Sequence, residues 1–167
     1  MSDVVRYAPQ RAFPAYAFVP GRNPHPIRDP RGHSFGQRDG PVPHICANRW
    51  RENEAWLAGV DLYNHGYLWE AHEAWERPWL GAREDVAQEL VLQGLIQCAA
   101  SVLKIAMGEP AGARRLADLG LEKLDDVAAH VGGRYMGVDL ARFAAEFRAF
   151  AASEPSSIDG RPILVLA

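Results

Sequence analysis

Residue types that can carry chemistry are concentrated in one short segment of the chain. Residues 64–79, NHGYLWEAHEAWERPW, contain three tryptophans and three glutamates together with His72. Within this segment His72, Glu73 and Glu76 form the pattern H-E-x-x-E. On a helix, His72 and Glu76 are four residues apart and share a face, so both can reach one metal ion. Glu73 could then act as a base or as a third ligand.

The pattern is related to the H-E-x-x-H of zinc proteases, but Glu76 stands where the second histidine would be. A donor set rich in carboxylates accepts manganese or iron as readily as zinc. We therefore expect at most one divalent metal ion, Zn, Mn or Fe, with His72 and Glu76 as its ligands. Glu73 and Glu70 are the candidate catalytic carboxylates.

A structural network without any metal explains the same residues. Glu73 has Arg77 four residues later, which is the favourable order for an ion pair on a helix, and Glu76 can pair with a protonated His72. The three tryptophans are then core residues. The sequence leaves the metal site and the network open as alternatives.

The next apolar segment adds polar candidates. Glu89, Gln93 and Gln97 recur at every fourth position, and amides that face inward need hydrogen-bond partners. We predict a polar pocket between the second and third helices, although the same amides could instead face solvent. The residues expected to support this pocket are Gln93, Gln97, Trp69, Tyr67 and His65.

Helical spacing of apolar residues dominates the chain after about residue 47. It predicts helices that begin near Asn48, near Tyr67, at residue 84, at Pro110 and at Asp139, with the third helix, 84–107, at the centre. Asn48 is the expected N-cap of the first, and Pro78 should stop or kink the second. Short connections favour antiparallel neighbours, so we predict an all-α fold: a compact antiparallel bundle of about five helices without strands.

The flanking segments differ in composition from this bundle, which we assign to residues 47–152. Residues 1–46 are rich in Pro and Gly yet carry several aromatic residues, which predicts an extended N-terminal arm packed on the bundle. Residues 153–167 form a short tail that ends in ILVLA, which docks as an extended segment or meets a partner.

The arm also carries candidate ligands, His25, Asp29 and His33, which could complete a metal sphere. Arg28, together with Arg22 and Arg31, could instead pair with the glutamates of the second helix, and this option needs no ion.

The net charge is −3, and no run of Lys or Arg is present, which argues against a nucleic-acid partner. No apolar run has the length of a membrane span and no signal segment is evident, so we expect a cytoplasmic protein. Its partner is expected to be an unknown small molecule or none. A homodimer could form through an exposed apolar helix face or through the tail.

Two stretches together resemble a known family. GVDLYNHGYLWEAHEAWE, followed by LQGLIQCAASVLK, is similar to the domain of unknown function 309 family, whose hallmarks Y-x-x-E-A-H-E-x-W-E, preceded by a glycine, and G-L-I-Q fall here on residues 66–76 and 94–97. The resemblance covers about residues 48–131. It implies an all-α bundle and the family's conventional label of predicted metal-dependent hydrolase. Any role that the family gives to E-A-H-E would fall on Glu70, His72, Glu73 and Glu76.

The sequence therefore leaves two functions open. One is a metal-dependent hydrolase. The alternative is a non-catalytic helical binding or scaffold protein in which the Glu, His, Arg and Gln side chains form a structural network.

Overall fold

The most apolar segment of the chain forms the central helix. A computed structural model, which describes residues 4–37, 39–40 and 42–167, places this helix, α3, at Val86–Ala106. It packs against both α2 (Leu68–Gly81) and α4 (Pro110–Val131). The length and hydropathy of α3 would also suit a membrane span, but 50% of its apolar window is buried inside the protein. Its apolar character is therefore that of a core helix.

The other helices pack on their neighbours in chain order. α1 (Glu54–Asn64) lies against α2, and α5 (Leu140–Ala152) lies against α4. A 3₁₀ helix at Ala47–Glu52 precedes α1. The predicted all-α fold class is confirmed.

Glycines allow two of the helix pairs to approach closely. A Cβ atom on Gly120 of α4 would lie 2.7 Å from the carbonyl oxygen of Gly94 in α3. A Cβ atom on Gly59 of α1 would lie 2.2 Å from Nε1 of Trp75 in α2. Trp75 is fully buried, and its Nε1 donates to the Trp56 carbonyl at 3.3 Å. The α1–α2 and α3–α4 contacts therefore require residues without side chains at these points.

One predicted helix boundary is wrong, and of the stop or kink expected at Pro78 the structure excludes the stop. The N-cap of α1 is Asn53, whose side chain accepts a hydrogen bond from the Trp56 N–H at 3.0 Å, whereas Asn48 lies inside the preceding 3₁₀ helix. α2 does not stop at Pro78 but continues to Gly81. Pro78 removes one backbone donor, but it is buried, and tertiary packing outweighs the local preference against proline.

A small hairpin follows α4, which corrects the expectation that the chain has no strands. β1 (Arg134–Tyr135) pairs antiparallel with β2 (Val138–Asp139). The turn residues Met136 and Gly137 both have positive φ, 48° and 83°, as a two-residue hairpin turn requires.

The C-terminal tail lies along this hairpin and along α1. Leu166 forms a bridge with Val138, and the Ala167 N–H donates to the Gly137 carbonyl at 3.1 Å. On the other side, the side-chain amide of Asn64 both donates to and accepts from the backbone of Leu164, each at 2.8 Å. Of the two expectations for the tail, the structure shows the docked, extended segment.

The close contact at Gly59 gives a first prediction. Gly59→Ala should lower the free energy of unfolding by about 2 kcal/mol, because the new methyl group overlaps the indole of buried Trp75 and the core must shift. Chemical denaturation of the purified variant measures the change.

Gly112→Ala in α4 is the matched control, since its Cβ would meet the Lys104 side chain at an ordinary 3.5 Å. Its free energy of unfolding should stay equal or rise by up to about 1 kcal/mol from helix propensity. Equal stability of the two variants would contradict the close α1–α2 contact.

Candidate functional site

The side chains of α2 divide into an apolar face and a polar face. Leu68, Ala71 and Trp75 are buried against the core. This face fixes the rotation of the helix, because its three residues recur at helical spacing. Every other side of α2 carries ionisable or aromatic residues, and the arm covers part of it.

Three of the predicted site residues come together on the polar face. One possible ligand atom each from His72, Glu73 and Glu76 lies within 4.8 Å of the others, and all three side chains are half-buried. Nδ1 of His72 is 3.3 Å from Oε1 of Glu73. The two atoms are not aligned for a hydrogen bond, so this buried nitrogen has no partner among the described residues. We call these three residues the His72 cluster.

The predicted ion pair between Glu73 and Arg77 does not form. The Arg77 guanidinium instead donates to the Gly40 carbonyl at 2.9 and 3.3 Å and lies 3.7 Å from Asp39. In the part of the chain that the structure describes, no Arg or Lys pairs with Glu73 or Glu76. Two neighbouring carboxylates without a cation repel one another, which favours the binding of a positive ion.

Glu70 belongs to a different set of contacts. Its Oε1 accepts hydrogen bonds from the Phe18 N–H and from Nε2 of His33, both at 2.9 Å. The side chains of His33 and Glu70 are only 4% and 5% exposed. Glu70, a candidate catalytic carboxylate, therefore holds the arm in the structure, and the candidate ligand His33 contacts Glu70.

A second buried carboxylate, whose role was not predicted from the sequence, holds the start of the arm. Asp61 of α1 is 1% exposed and accepts from the backbone N–H groups of Tyr7 at 2.7 Å and Ala8 at 2.9 Å. Arg6 adds a contact of 3.3 Å. The sequence does contain one indication of this contact. Asp61 lies inside the apolar run WLAGVDLY, and a buried carboxylate needs a hydrogen-bond partner.

Aromatic rings fill the space between these two anchor points. Phe13 stacks on Tyr67 with ring centres 5.0 Å apart and lies 4.8 Å from the His65 ring. Phe18 and His25 contact the edge of Trp69 at 5.4 and 5.6 Å. Tyr67, His65 and Trp69 thus hold the arm.

The remaining arm candidates do not join the cluster. Nδ1 of His25 accepts from the backbone N–H groups of Ile27 and Arg28, both at 3.3 Å. Arg31 hydrogen-bonds the Asp29 carboxylate at 3.0 Å, and this contact holds the pKa of Asp29 below its usual value. Among the described residues, Arg28 forms no ion pair with a glutamate of α2.

The glutamines of α3 are arranged differently from the prediction. Gln93 and Gln97 are only half-buried, and Oε1 of Gln97 is a buried atom without a partner. The fully buried amide is that of Gln88, whose Nε2 donates to the Ile45 carbonyl of the arm at 2.9 Å.

A cavity of about 620 Å³ lies beside the His72 cluster. Its walls come from the arm, α1 and α2, and none of its lining residues belongs to α3. This cavity is therefore not the predicted pocket between the second and third helices. Glu70, Glu73 and Glu76 line the cavity, so the cluster and the arm anchor face the same space. We call it the arm cavity.

Comparison with known proteins gives one match. The model of the family described as Domain of unknown function (DUF309) matches residues 56–116, which include all of α2 and α3. No curated protein and no solved structure matches the chain.

The anchor at Asp61 can be tested directly. Asp61→Asn should lower the free energy of unfolding by about 3 kcal/mol, because an amide NH₂ then faces a backbone N–H and Arg6 loses its buried partner. Amide hydrogen exchange at Tyr7 and Ala8 should become faster.

Glu54→Gln provides the control, since Glu54 also lies on α1 and meets the arm through an exposed contact with Gln10 at 3.2 Å. We expect its stability to change by less than about 0.5 kcal/mol. Unchanged exchange in Asp61→Asn would show that the arm does not depend on this carboxylate.

Proposed function

We propose that His72 and Glu76 hold one divalent cation and that the protein, whose residues 56–116 match the DUF309 family model, is a metal-dependent hydrolase. The observation that carries the proposal is the convergence of three ligand atoms within 4.8 Å, beside a cavity that Glu73 and Glu76 line. Glu73 is the general base.

The donor set fits such an ion. The imidazole of His72 and the carboxylate of Glu76, with a second carboxylate beside them, suit Zn, Mn or Fe. The unpartnered Nδ1 of His72 supports the assignment, because buried polar atoms normally have a partner. The half-buried position of all three side chains leaves room for water at the site.

Each residue then has a defined task. A bound divalent cation would lower the pKa of a coordinated water to near neutrality. Glu73, which lines the cavity, is placed to accept the proton of a water beside the cluster. The arm and Trp69, which also line the cavity, would limit the access of bulk water to this space.

The alternative, a non-catalytic binding or scaffold protein, draws support from Glu70. That carboxylate is occupied by the arm, as a structural network requires. No Arg or Lys of the described residues pairs with Glu73 or Glu76, so the network that holds Glu70 does not extend to them through a permanent cation. We favour the hydrolase for this reason. We also infer a cytoplasmic location, with which the two free cysteines agree.

Metal analysis tests the proposal. The full-length protein, purified without a metal-binding tag and dialysed against Zn, Mn or Fe(II), should hold about one equivalent of one of them. His72→Ala and Glu76→Ala should weaken binding by more than about 100-fold, since even the loss of an outer contact costs about 10–100-fold. Glu73→Gln should keep the metal.

His130→Ala is the matched control, because His130 also neighbours an acid on a helix, with Nδ1 at 3.6 Å from Asp126, but has no third ligand. It should leave metal content unchanged. A parent protein without stoichiometric metal, in which His72→Ala and Glu76→Ala both lose stability, would overturn the hydrolase and support the network.

A further inference from the structure

We propose that the arm cavity binds a small organic ammonium ion, with its amine on Glu70 and its carbon chain on the apolar wall of α1 and α2. The His72 cluster takes no part in this assignment of ligand class. The proposal depends on the buried atoms of Glu70, on the charges that remain free in the cavity and on its apolar lining.

The first observation is an unused oxygen atom. Oε1 of Glu70 already accepts two hydrogen bonds from the arm, whereas Oε2 is buried and has no partner among the described residues. A buried carboxylate oxygen is costly unless a donor reaches it. Glu70 is one of the residues that line the cavity, and we infer that the amine of the ligand supplies the missing donor.

The second observation is the sign of the free charge. Arg6 and Arg77 line the cavity, but Arg6 is paired with Asp61 and Arg77 is taken up by Asp39 and the Gly40 carbonyl. The lining charges that have no Arg or Lys partner among the described residues are Glu70, which His33 contacts, and Glu73 and Glu76, and Arg11 is an exposed cation in the same lining. This interior favours a positive ligand.

The third observation is an apolar wall beside the carboxylates. Ala58 and Leu62 of α1 and Ala74 of α2 line the cavity opposite the arm residues Phe13 and Ile27. This lining suits a hydrocarbon chain, while a single carboxylate fixes the polar end, which is the usual construction of a small-molecule site.

The proposed ligand also indicates a class of substrate, and this inference rests on the proposed function. Glu73 and Glu76 follow Glu70 by three and six residues, which places them roughly 5 and 9 Å further along the helix axis. A substrate with its ammonium group at Glu70 would present a bond several carbons away to the His72 cluster. We therefore infer that the substrate is an amine whose hydrolysable bond lies several carbons from the nitrogen.

Binding of hexylamine to the full-length protein in the presence of a chelator tests the ligand class without any metal. 1-Hexanol and hexanoate serve as neutral and anionic probes of equal length. Isothermal titration should show hexylamine binding at least about tenfold more tightly than either probe. The Phe18 amide, which shares the Glu70 carboxylate, should shift in NMR spectra on titration with hexylamine.

Two variants locate the amine. Glu70→Gln keeps an acceptor for Phe18 but places an NH₂ group where Oε2 stands, so hexylamine affinity should fall at least about tenfold. Ala74→Leu fills the apolar wall and should cause a similar loss while leaving the Glu70 contacts in place. Glu122→Gln on α4, outside the cavity, should bind hexylamine like the parent.

Equal binding of hexylamine and hexanol, preference for hexanoate, or unchanged affinity in Glu70→Gln would each overturn the ammonium site. These results are independent of metal content. Binding of metal without hexylamine would leave the proposed hydrolase in place but contradict the substrate class. Binding of hexylamine without metal would support the ligand site alone.

Discussion

Two buried carboxylates determine how the surface of α1 and α2 is built. A carboxylate removed from water needs hydrogen-bond donors to replace its hydration. Asp61 receives them from the backbone of Tyr7 and Ala8, and Glu70 receives one from the backbone of Phe18. Because backbone N–H groups need no regular structure, a segment rich in Pro and Gly can follow a defined path over the bundle. That path forms one wall of the arm cavity, so the cavity depends on the two anchors.

Helix α2 packs against the core, holds the arm and carries the His72 cluster, which explains its unusual composition. Its apolar face, centred on Trp75, packs against α1 and α3, and Glu70 holds the arm. The His72 cluster occupies the side that remains. Pro78 is compatible with this division because it is buried and its missing N–H interrupts only one backbone hydrogen bond. The helix can therefore continue to Gly81 and extend the wall of the cavity.

Features that depend on residues within one helix could be predicted from the sequence. The helices follow from apolar spacing, and Asp139 caps α5 as its position before an apolar stripe indicates. The His72 cluster also lies within one turn and a half of helix. Contacts between distant segments could not be predicted in this way, since the donors to Asp61 are more than 50 residues away in the chain. The contact of Arg77 could not be predicted for the same reason. It binds the Gly40 carbonyl and not its expected local partner, Glu73. The N-cap at Asn53 could not be predicted either, because its position depends on where the arm ends and the bundle begins.

The three glutamates of α2 differ in environment because of their spacing. At three-residue intervals, successive side chains turn by about 60° around the helix, so Glu70 faces the arm while Glu76 approaches His72. The arm supplies donors to the first, and no Arg or Lys in the described chain pairs with the other two. A ligand along this stripe would therefore meet a fixed carboxylate at one end and two free carboxylates at the other. It follows that lifting the arm would alter the ammonium site, whose carboxylate and wall it supports. The His72 cluster would be changed less, because its three ligands are all carried by α2.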